Sequence, residues 1–331
     1  MLAWRARLPH ALLFSGPRGL GKVELALAFA GALLCESPTP EGEACGRCLA
    51  CRWFAQGNHP DLRLLLPEAL RLKEEDEGKA AKEEKKGRAG QEITIDQVRA
   101  LDDFLAVGTH RQGLRIILAH PAENLNRNAG NALLKMLEEP PPETLFLLVA
   151  HEAMRLLPTL RSRCQGVPVP LPLPEAGRAF LEAAGIGEAE SWLALAGGAP
   201  MLARDLARRG AGWMDDLLQI LAKGGRQEVL ATAMQLEKTL KAVKGENPLP
   251  QLVAWAQKWL VDLNLAARNL PIRFFLRHRA RITTLAQEST PLRLSRFYRS
   301  LLRLRRESEH PLNLRLFLEQ FLFEYRALFV P

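Results

Sequence analysis

The chain has 331 residues and a mass of 36.9 kDa, about twice the common domain size, so two or three domains are expected. Hydrophobic residues make up 47% and charged residues 25%, which excludes a disordered protein, a fibrous protein and a small disulfide scaffold. The net charge of +8 permits contact with polyanions but does not demonstrate it. No apolar run is long enough to span a bilayer and no leader with a cleavage site is recognisable, so we expect a cytoplasmic protein without membrane contact.

Four of the five cysteines lie between positions 35 and 51. In a reducing compartment, clustered cysteines are more often metal ligands than disulfides. Four thiolates close a tetrahedral zinc site, whereas a ferredoxin-type iron–sulfur run would need its last cysteine where Ala55 stands. A lone histidine before proline, His59, is more often a packing residue, so it is left out of the ligand set. We therefore predict a structural zinc site with the ligands Cys35, Cys45, Cys48 and Cys51.

The first 60 residues predict a strand, a glycine-rich turn and a helix. Residues 11–14 are apolar, residues 15–21 are rich in glycine, and residues 23–34 favour a helix. The stretch 16–22 fits the pattern G-x-x-x-x-G-K, in which backbone N–H groups close around phosphates and the lysine reaches the terminal ones. The candidate nucleotide-binding residues are therefore Gly16, Gly21 and Lys22.

Two positions that would support magnesium depart from this pattern. Position 23 should be Ser or Thr, whose hydroxyl binds the ion, and is Val23. A hydrolytic site also needs a carboxylate directly after the core strand, where the chain has His120–Pro121 and where Glu123 comes two residues late. We therefore predict that this chain alone does not hydrolyse ATP. Whether Lys22 binds a nucleotide or only supports the loop is left open.

The region up to residue 174 alternates strands with helices. Further strands are predicted at 62–66, 114–119 and 144–150, with helices at about 96–105 and 128–139 between them. This alternation predicts an α/β fold with a mostly parallel sheet. Asp96 is the expected N-cap of the first of these helices. The charged stretch 71–90 is predicted to be a solvated loop, and the proline-punctuated stretch 167–174 a linker.

Only helical patterns occur after about residue 175. Glycine and proline at 197–200 and glycines at 210–212 punctuate them, so we predict a small helical domain over 175–208 and a longer all-helical domain over 209–331. Ten arginines crowd positions 273–306. They form either a DNA-facing surface or a solvated helix face with salt bridges to partner helices, and we favour the second.

Several segments together resemble the clamp-loader family of bacterial DNA polymerase III. They are HALLFSGPRGLGK (10–22), the cysteine module (35–51), ITIDQVRAL (93–101), NALLKMLEEPPPETLFLLVA (131–150) and LPTLRSRC (157–164). The resemblance covers residues 1 to about 208 with specific motifs and the remainder only weakly. It implies an AAA+ P-loop domain over 1–174 containing the zinc module, a helical lid over 175–208 and an oligomerising helical collar over 209–331.

In that family a Ser-Arg-Cys motif, here Ser162, Arg163 and Cys164, presents its arginine to the ATP bound by the adjacent subunit. A guanidinium supplied in trans neutralises charge that develops on the phosphoryl oxygens. Subunits of the gamma or tau type that hydrolyse ATP carry the loop hydroxyl, an Asp-Glu pair and a lid arginine. This chain has other residues at those places: Val23, His120–Pro121 and Pro200. The pattern therefore resembles the non-hydrolysing, delta-prime type of subunit.

The resemblance implies a stator subunit of the polymerase holoenzyme, with Arg163 as an arginine finger and structural Zn²⁺ as its cofactor. Its expected partners are the gamma or tau ATPase subunits and the delta subunit and, through the complex, the sliding clamp and primed DNA. Two alternatives stay open. In the first, the chain is a gamma- or tau-type ATPase in its own right. In the second, it is an independent zinc-containing module that binds nucleic acid.

Overall fold

The computed structural model describes residues 8–71, 90–107, 109, 113–209, 212–242, 247–310 and 312–329. The charged segment predicted as a loop falls outside these residues from position 72 to position 89. The chain folds as two compact units, residues 1–171 and residues 172–331. Among the helices that are described, none combines the length and the apolar character needed to cross a membrane.

The first unit is built on a parallel five-stranded sheet. Its strands are β1 (Ala11–Ser15), β2 (Leu62–Leu65), β3 (Arg115–Ala119), β4 (Thr144–Ala150) and β5 (Gln165–Pro168), in the order β2-β3-β4-β1-β5. Its helices include α1 (Lys22–Leu34), α2 (Leu49–Ala55), α3 (Ile95–Arg99), α4 (Leu101–Ala106), α5 (Arg127–Glu138) and α6 (Pro158–Arg161). All strand pairs run parallel, which confirms the predicted α/β fold class.

Successive side chains of the central strands enter two separate cores, one on each face of the sheet. Leu13 and Phe146 join the core beneath α3 and α5, whereas Leu12 and Leu147 join the core beneath α1. Because both faces are covered, β3 and β4 are buried along their whole length. Because the strands run parallel, the carboxyl ends of β1, β3 and β4 lie at the same end of the sheet. The segments that follow these strands meet there.

Two local predictions need correction. Helix α3 has Thr94 rather than Asp96 as its N-cap, and the amide of Thr94 donates to Gln97 Oε1 at 2.9 Å. The stretch predicted as a linker begins inside β5, which pairs with β1 at the edge of the sheet. Pro168 is compatible with an edge strand because one side of that strand needs no amide donor.

The second unit contains only helices in its described residues. They include α7 (Pro174–Ala183), α8 (Ala189–Leu195), α9 (Pro200–Arg209), α10 (Gly212–Lys223), α11 (Val229–Lys241), α12 (Leu249–Ala266), α13 (Arg279–Gln287), α14 (Pro291–Glu307) and α15 (Leu314–Arg326). Helices α7 to α9 belong to the same compact unit as the others, so the division into lid and collar stays a prediction.

Buried polar groups fix the centre of the second unit. The indole of Trp259 donates to the hydroxyl of Tyr325 at 3.0 Å, and this hydroxyl donates to the carbonyl of Leu221 at 2.6 Å. The carboxylate of Asp262 is fully buried and accepts four hydrogen bonds of 2.7–3.1 Å from the backbone N–H groups of residues 273–275. Removing such a buried acceptor leaves several unsatisfied donors, so these groups define one arrangement of the helices.

Candidate metal centre and phosphate-loop site

The four clustered cysteines come together around the start of α2. Their Sγ atoms all lie within 4.8 Å of one another, with 3.9 Å between Cys35 and Cys48 and 4.0 Å between Cys45 and Cys51. Four sulfurs bound tetrahedrally at about 2.3 Å from one ion would be about 3.8 Å apart. All four thiols are free rather than joined in disulfides. The set therefore fits one tetrahedral zinc ion.

Backbone N–H groups support these sulfurs. The amides of Cys45, Cys48 and Cys51 donate to the Sγ atoms of Cys35, Cys45 and Cys48, respectively, at 3.3–3.4 Å. Donors to sulfur stabilise the thiolate and orient it for a metal. The N–H groups of Arg47 and Cys48 lower the pKa of Cys45 to about 6, whereas burial raises the pKa of Cys51 to about 12. Metal binding would displace the protons that remain on the less acidic thiols.

Helix α2 connects the cysteine module to the helix that follows the glycine loop. Phe54 of α2 packs against Gly31 of α1, where a Cβ would lie 3.4 Å from the phenyl ring. The ring of Trp53 meets His59 edge-on, with 6.0 Å between ring centroids, and His59 Nδ1 accepts the amide of Asp61 at 3.1 Å. His59 thus has a role in its own turn and is not part of the sulfur cluster.

The glycine loop between β1 and α1 closes around its own lysine. Lys22 is 2% exposed, and its Nζ donates to the carbonyls of Gly16 at 2.7 Å and Pro17 at 2.6 Å. Burial lowers the pKa of Lys22, and the charge of Glu123 partly opposes this effect. Gly16 has a φ of +151°, and a Cβ there would lie 2.4 Å from the carbonyl oxygen of Val169. The close approach of the chain after β5 therefore requires this glycine, with or without a nucleotide.

The positions that would support magnesium carry unsuitable groups. Val23 packs half-buried against the core beneath α1. Burial lowers the pKa of His120, after β3, to about 4, and burial together with the charge of Lys22 lowers that of His151, after β4, to about 3. Both rings are thus neutral near pH 7, and magnesium prefers oxygen ligands. These residues do not fit a magnesium–nucleotide centre.

Glu123, the carboxylate in the turn after β3, is engaged by the backbone. Its Oε1 accepts the amides of His151 at 3.0 Å and Glu152 at 3.3 Å, which fixes the chain where it leaves β4. Glu123 Oε2 and the Nδ1 atoms of His120 and His151 are buried, and none has a hydrogen-bond partner within the described ranges. The two imidazoles meet edge-on with 5.1 Å between centroids. Sequence reasoning missed His151 because it meets His120 only when β3 and β4 pair.

The predicted finger residue, Arg163, lies in the turn between α6 and β5. Its Nη2 pairs with Glu138 Oε1 at 2.6 Å, its Nη1 donates to the carbonyl of Thr159 at 3.1 Å, and its side chain is 36% exposed. The hydroxyl of Ser162 donates to the same carbonyl at 3.0 Å. Cys164 packs against the core beneath α5, and burial raises its pKa to about 11. The turn is therefore anchored by its cysteine and presents its arginine at the surface.

Two neighbours of the turn bear on this assignment. Arg161, the residue most easily confused with the finger, directs its Nη1 to Met154 Sδ at 2.9 Å and pairs with no carboxylate among the described residues. Glu138, which sequence reasoning did not identify, lies at the end of α5. Nothing in the chain order signals its pairing with an arginine 25 residues later.

Comparison with known proteins identifies one family. The family model described as "DNA polymerase III, delta subunit" matches residues 3–171. A DNA polymerase III subunit delta′ of Pseudomonas aeruginosa is 37% identical over 269 residues, which are 79% of this chain and 74% of the relative. A subunit delta′ of Bacillus subtilis is 36% identical over 165 residues, which are 49% of this chain and 42% of the relative. A gamma-subunit-related protein of Thermotoga maritima gives a TM-score of 0.47 at 18% identity, covering 97% of this chain and 96% of that protein.

Proposed function

The chain belongs to the DNA polymerase III delta-prime family of clamp-loader subunits, and we propose that it acts there as a stator that does not hydrolyse ATP. In this role it supports ATP-dependent loading of a sliding clamp onto primed DNA in the cytoplasm. Its partners are gamma or tau ATPase subunits and a delta subunit. We assign residues 1–174 to an AAA+ module, 175–208 to a lid and 209–331 to a collar that joins subunits.

The partly exposed side chain of Arg163 carries this proposal. A free arginine side chain has about 2 kcal/mol of rotamer entropy to lose on binding, and the bonds to Glu138 and Thr159 restrict it beforehand. Phosphate accepts two parallel N–H bonds from a guanidinium, whereas one oxygen of Glu138 accepts here. When a neighbouring subunit docks, Arg163 exchanges Glu138 for the phosphoryl oxygens of the ATP on that neighbour. The added positive charge stabilises the transition state of hydrolysis.

The chain's own glycine loop supports the non-hydrolysing role. Lys22 is bound to two loop carbonyls, Val23 belongs to a core, and the residue after β3 is a neutral histidine. None of these groups holds magnesium or activates water. We therefore assign Gly16, Gly21 and Lys22 a mainly structural role in shaping the turn. This favours the stator over a gamma- or tau-type ATPase.

We propose that Cys35, Cys45, Cys48 and Cys51 hold one structural zinc ion. The spacing of their sulfurs supports this assignment, as do the three backbone N–H groups that donate to them. The ion would tie the segment after α1 to the start of α2 and take no part in chemistry. Elemental analysis of the purified chain should find about one zinc per chain.

The finger is tested in a complex reconstituted from this chain and its ATPase partners. Arg163→Ala should abolish the burst of hydrolysis contributed by the one neighbouring site, because an arginine finger is worth roughly 10³-fold or more in rate. Arg161→Ala is the matched control, since it removes the same side chain two residues away. Gel filtration should show that both variants assemble. A normal burst amplitude in the assembled Arg163→Ala complex would refute the finger assignment.

A further inference from the structure

The ten arginines between positions 273 and 306 are not all used in the same way. Several are used within the second unit: Arg277 pairs with Glu188, whereas Arg281 and Arg305 donate to backbone carbonyls. These contacts agree with a salt-bridged, structural role. A second group is exposed on α14 and has no ion-pair or hydrogen-bond partner in the part of the chain that the structure describes: Arg296, Arg299 and Arg306.

These three residues form one row with Arg303. The four positions, 296, 299, 303 and 306, are separated by three, four and three residues, which is the spacing of a single helix face. At 1.5 Å per residue the row is about 15 Å long. The opposite side of α14 is the one buried in the core, through Leu294, Phe297, Leu301 and Leu304. The arginine row therefore lies along the outermost line of the helix.

The row offers a regular series of positive charges. Helix α14 contains six arginines and one glutamate, Glu307, which pairs with Arg303 together with Glu324. Guanidinium groups stay charged and bind phosphate in a bidentate manner. A nucleic-acid strand presents one phosphate about every 3.4 Å where its bases are stacked and at wider spacing where they are not, so a row of about 15 Å faces at most about four of them. A protein partner would need a matching row of carboxylates, whereas a phosphodiester backbone carries such a row by its composition.

Apolar side chains flank the arginine row. Leu292, Tyr298 and Leu302 are 58%, 51% and 41% exposed, respectively. Basic residues combined with exposed aromatic side chains are typical of surfaces that bind single strands, because unpaired bases can stack on the rings. The bases of a duplex are already stacked on each other and paired, so they gain little from such side chains.

We propose that the outer face of α14 binds single-stranded DNA. The arginines of the row contact successive phosphates, and Tyr298 and Leu302 contact unstacked bases. The site lies entirely within the second unit. The site uses neither Arg163 nor ATP, so this proposal can be tested independently of the finger assignment.

Fluorescence anisotropy of the full chain with a labelled oligo(dT) tests the proposal. The row variant is Arg296→Ala/Arg299→Ala/Arg306→Ala, and the control variant, with the same change in net charge at three other exposed arginines, is Arg52→Ala/Arg155→Ala/Arg268→Ala. The row variant should bind at least roughly ten-fold more weakly at about 50 mM salt. The slope of its log affinity against log salt should shrink by about 2, because each of the three lost phosphate contacts contributes about 0.7. The control variant should bind as the parent does.

A third variant separates stacking from charge. Tyr298→Ala should weaken oligo(dT) binding several-fold without changing the salt slope, because it removes no phosphate contact. Equal losses in the row and control variants would overturn the proposal, as would tighter binding to a blunt duplex than to oligo(dT). A row variant that binds oligo(dT) normally but fails to assemble with partner subunits would identify a protein interface instead.

Discussion

The cysteine site and the glycine loop lie at the two ends of the same helix, since Lys22 begins α1 and Cys35 follows its last residue. The cysteine site has every ligand within reach of one ion. The glycine loop keeps its turn but has a core valine and neutral histidines where magnesium would need oxygens. The contrast shows that four clustered thiols are explained by metal binding, whereas the glycines of a phosphate loop can be retained for local packing alone.

Removing one thiolate should have the largest effect. Cys51→Ser leaves three ligands, so zinc content should fall from about one per chain to near zero. The melting temperature should fall by roughly 10 °C, because α2 loses its anchor to the segment after α1. Elemental analysis and calorimetry measure the two results. Cys164→Ser makes the same atomic change outside the cluster and is the control, which should keep its zinc. Full zinc retention in Cys51→Ser would exclude Cys51 as a ligand.

Removing the loop lysine should have a moderate effect on stability and none on turnover. Lys22→Met leaves the carbonyls of Gly16 and Pro17 without their donor, which should lower the free energy of unfolding by about 1–3 kcal/mol. ATP hydrolysis by the reconstituted complex should stay unchanged. Urea unfolding and an ATPase assay measure these quantities. A loss of turnover like that expected of Arg163→Ala would instead make the loop a working nucleotide site.

The two histidines beside the loop should affect stability through their charge only at acid pH. The pKa values of His120 and His151, about 4 and about 3, lie below the ordinary value of about 6.5, so the unfolded chain binds protons first as the pH falls. The stability that depends on neutral rings is complete above about pH 6.5 and is lost progressively as the pH falls towards the folded-state pKa values of about 4 and about 3. Urea unfolding at pH 7.5 and pH 5 should therefore show less acid sensitivity in His120→Gln/His151→Gln than in the parent.

An exposed histidine provides the control for this measurement. His310→Gln should keep the acid sensitivity of the parent, because His310 lies at the surface of the second unit. Acid sensitivity that is equal in the double variant and the parent would contradict the account of buried neutral rings.

The strands of the sheet were predictable where an apolar run of residues marks the strand without reference to its neighbours. The run 144–150 is apolar and follows three prolines, and β4 has the predicted bounds. Strand β5 was not predictable, because it runs into the proline-punctuated stretch 167–174 and its residues are mostly exposed, and only pairing with β1 makes them a strand. The N-cap of α3 was misplaced by two residues, since Thr94 and Asp96 both have suitable side chains and the local capping box between Thr94 and Gln97 decides for Thr94.

The candidate sites divide in the same way. Cysteine spacing alone predicted the metal cluster, because all four ligands lie close together in the sequence. Glu138 beside Arg163 and His151 beside His120 could not be predicted, because the partners lie 25 and 31 residues apart and meet only after the strands and helices pack. The crowding of arginines over 273–306 is visible in the sequence, but separating the exposed row on α14 from the salt-bridged arginines needed the fold.

The exposed edge of β5 is protected against pairing with strands of other molecules. Among the strands that the structure describes, β5 pairs with β1 alone, so one row of its peptide groups points away from the sheet. Pro168 and the nearby Pro170 have no N–H to offer, so a strand from another molecule finds too few donors to attach there. Prolines at such an edge protect a sheet against lateral self-association. They make lateral pairing at this edge unfavourable and leave association to the other surfaces of the chain.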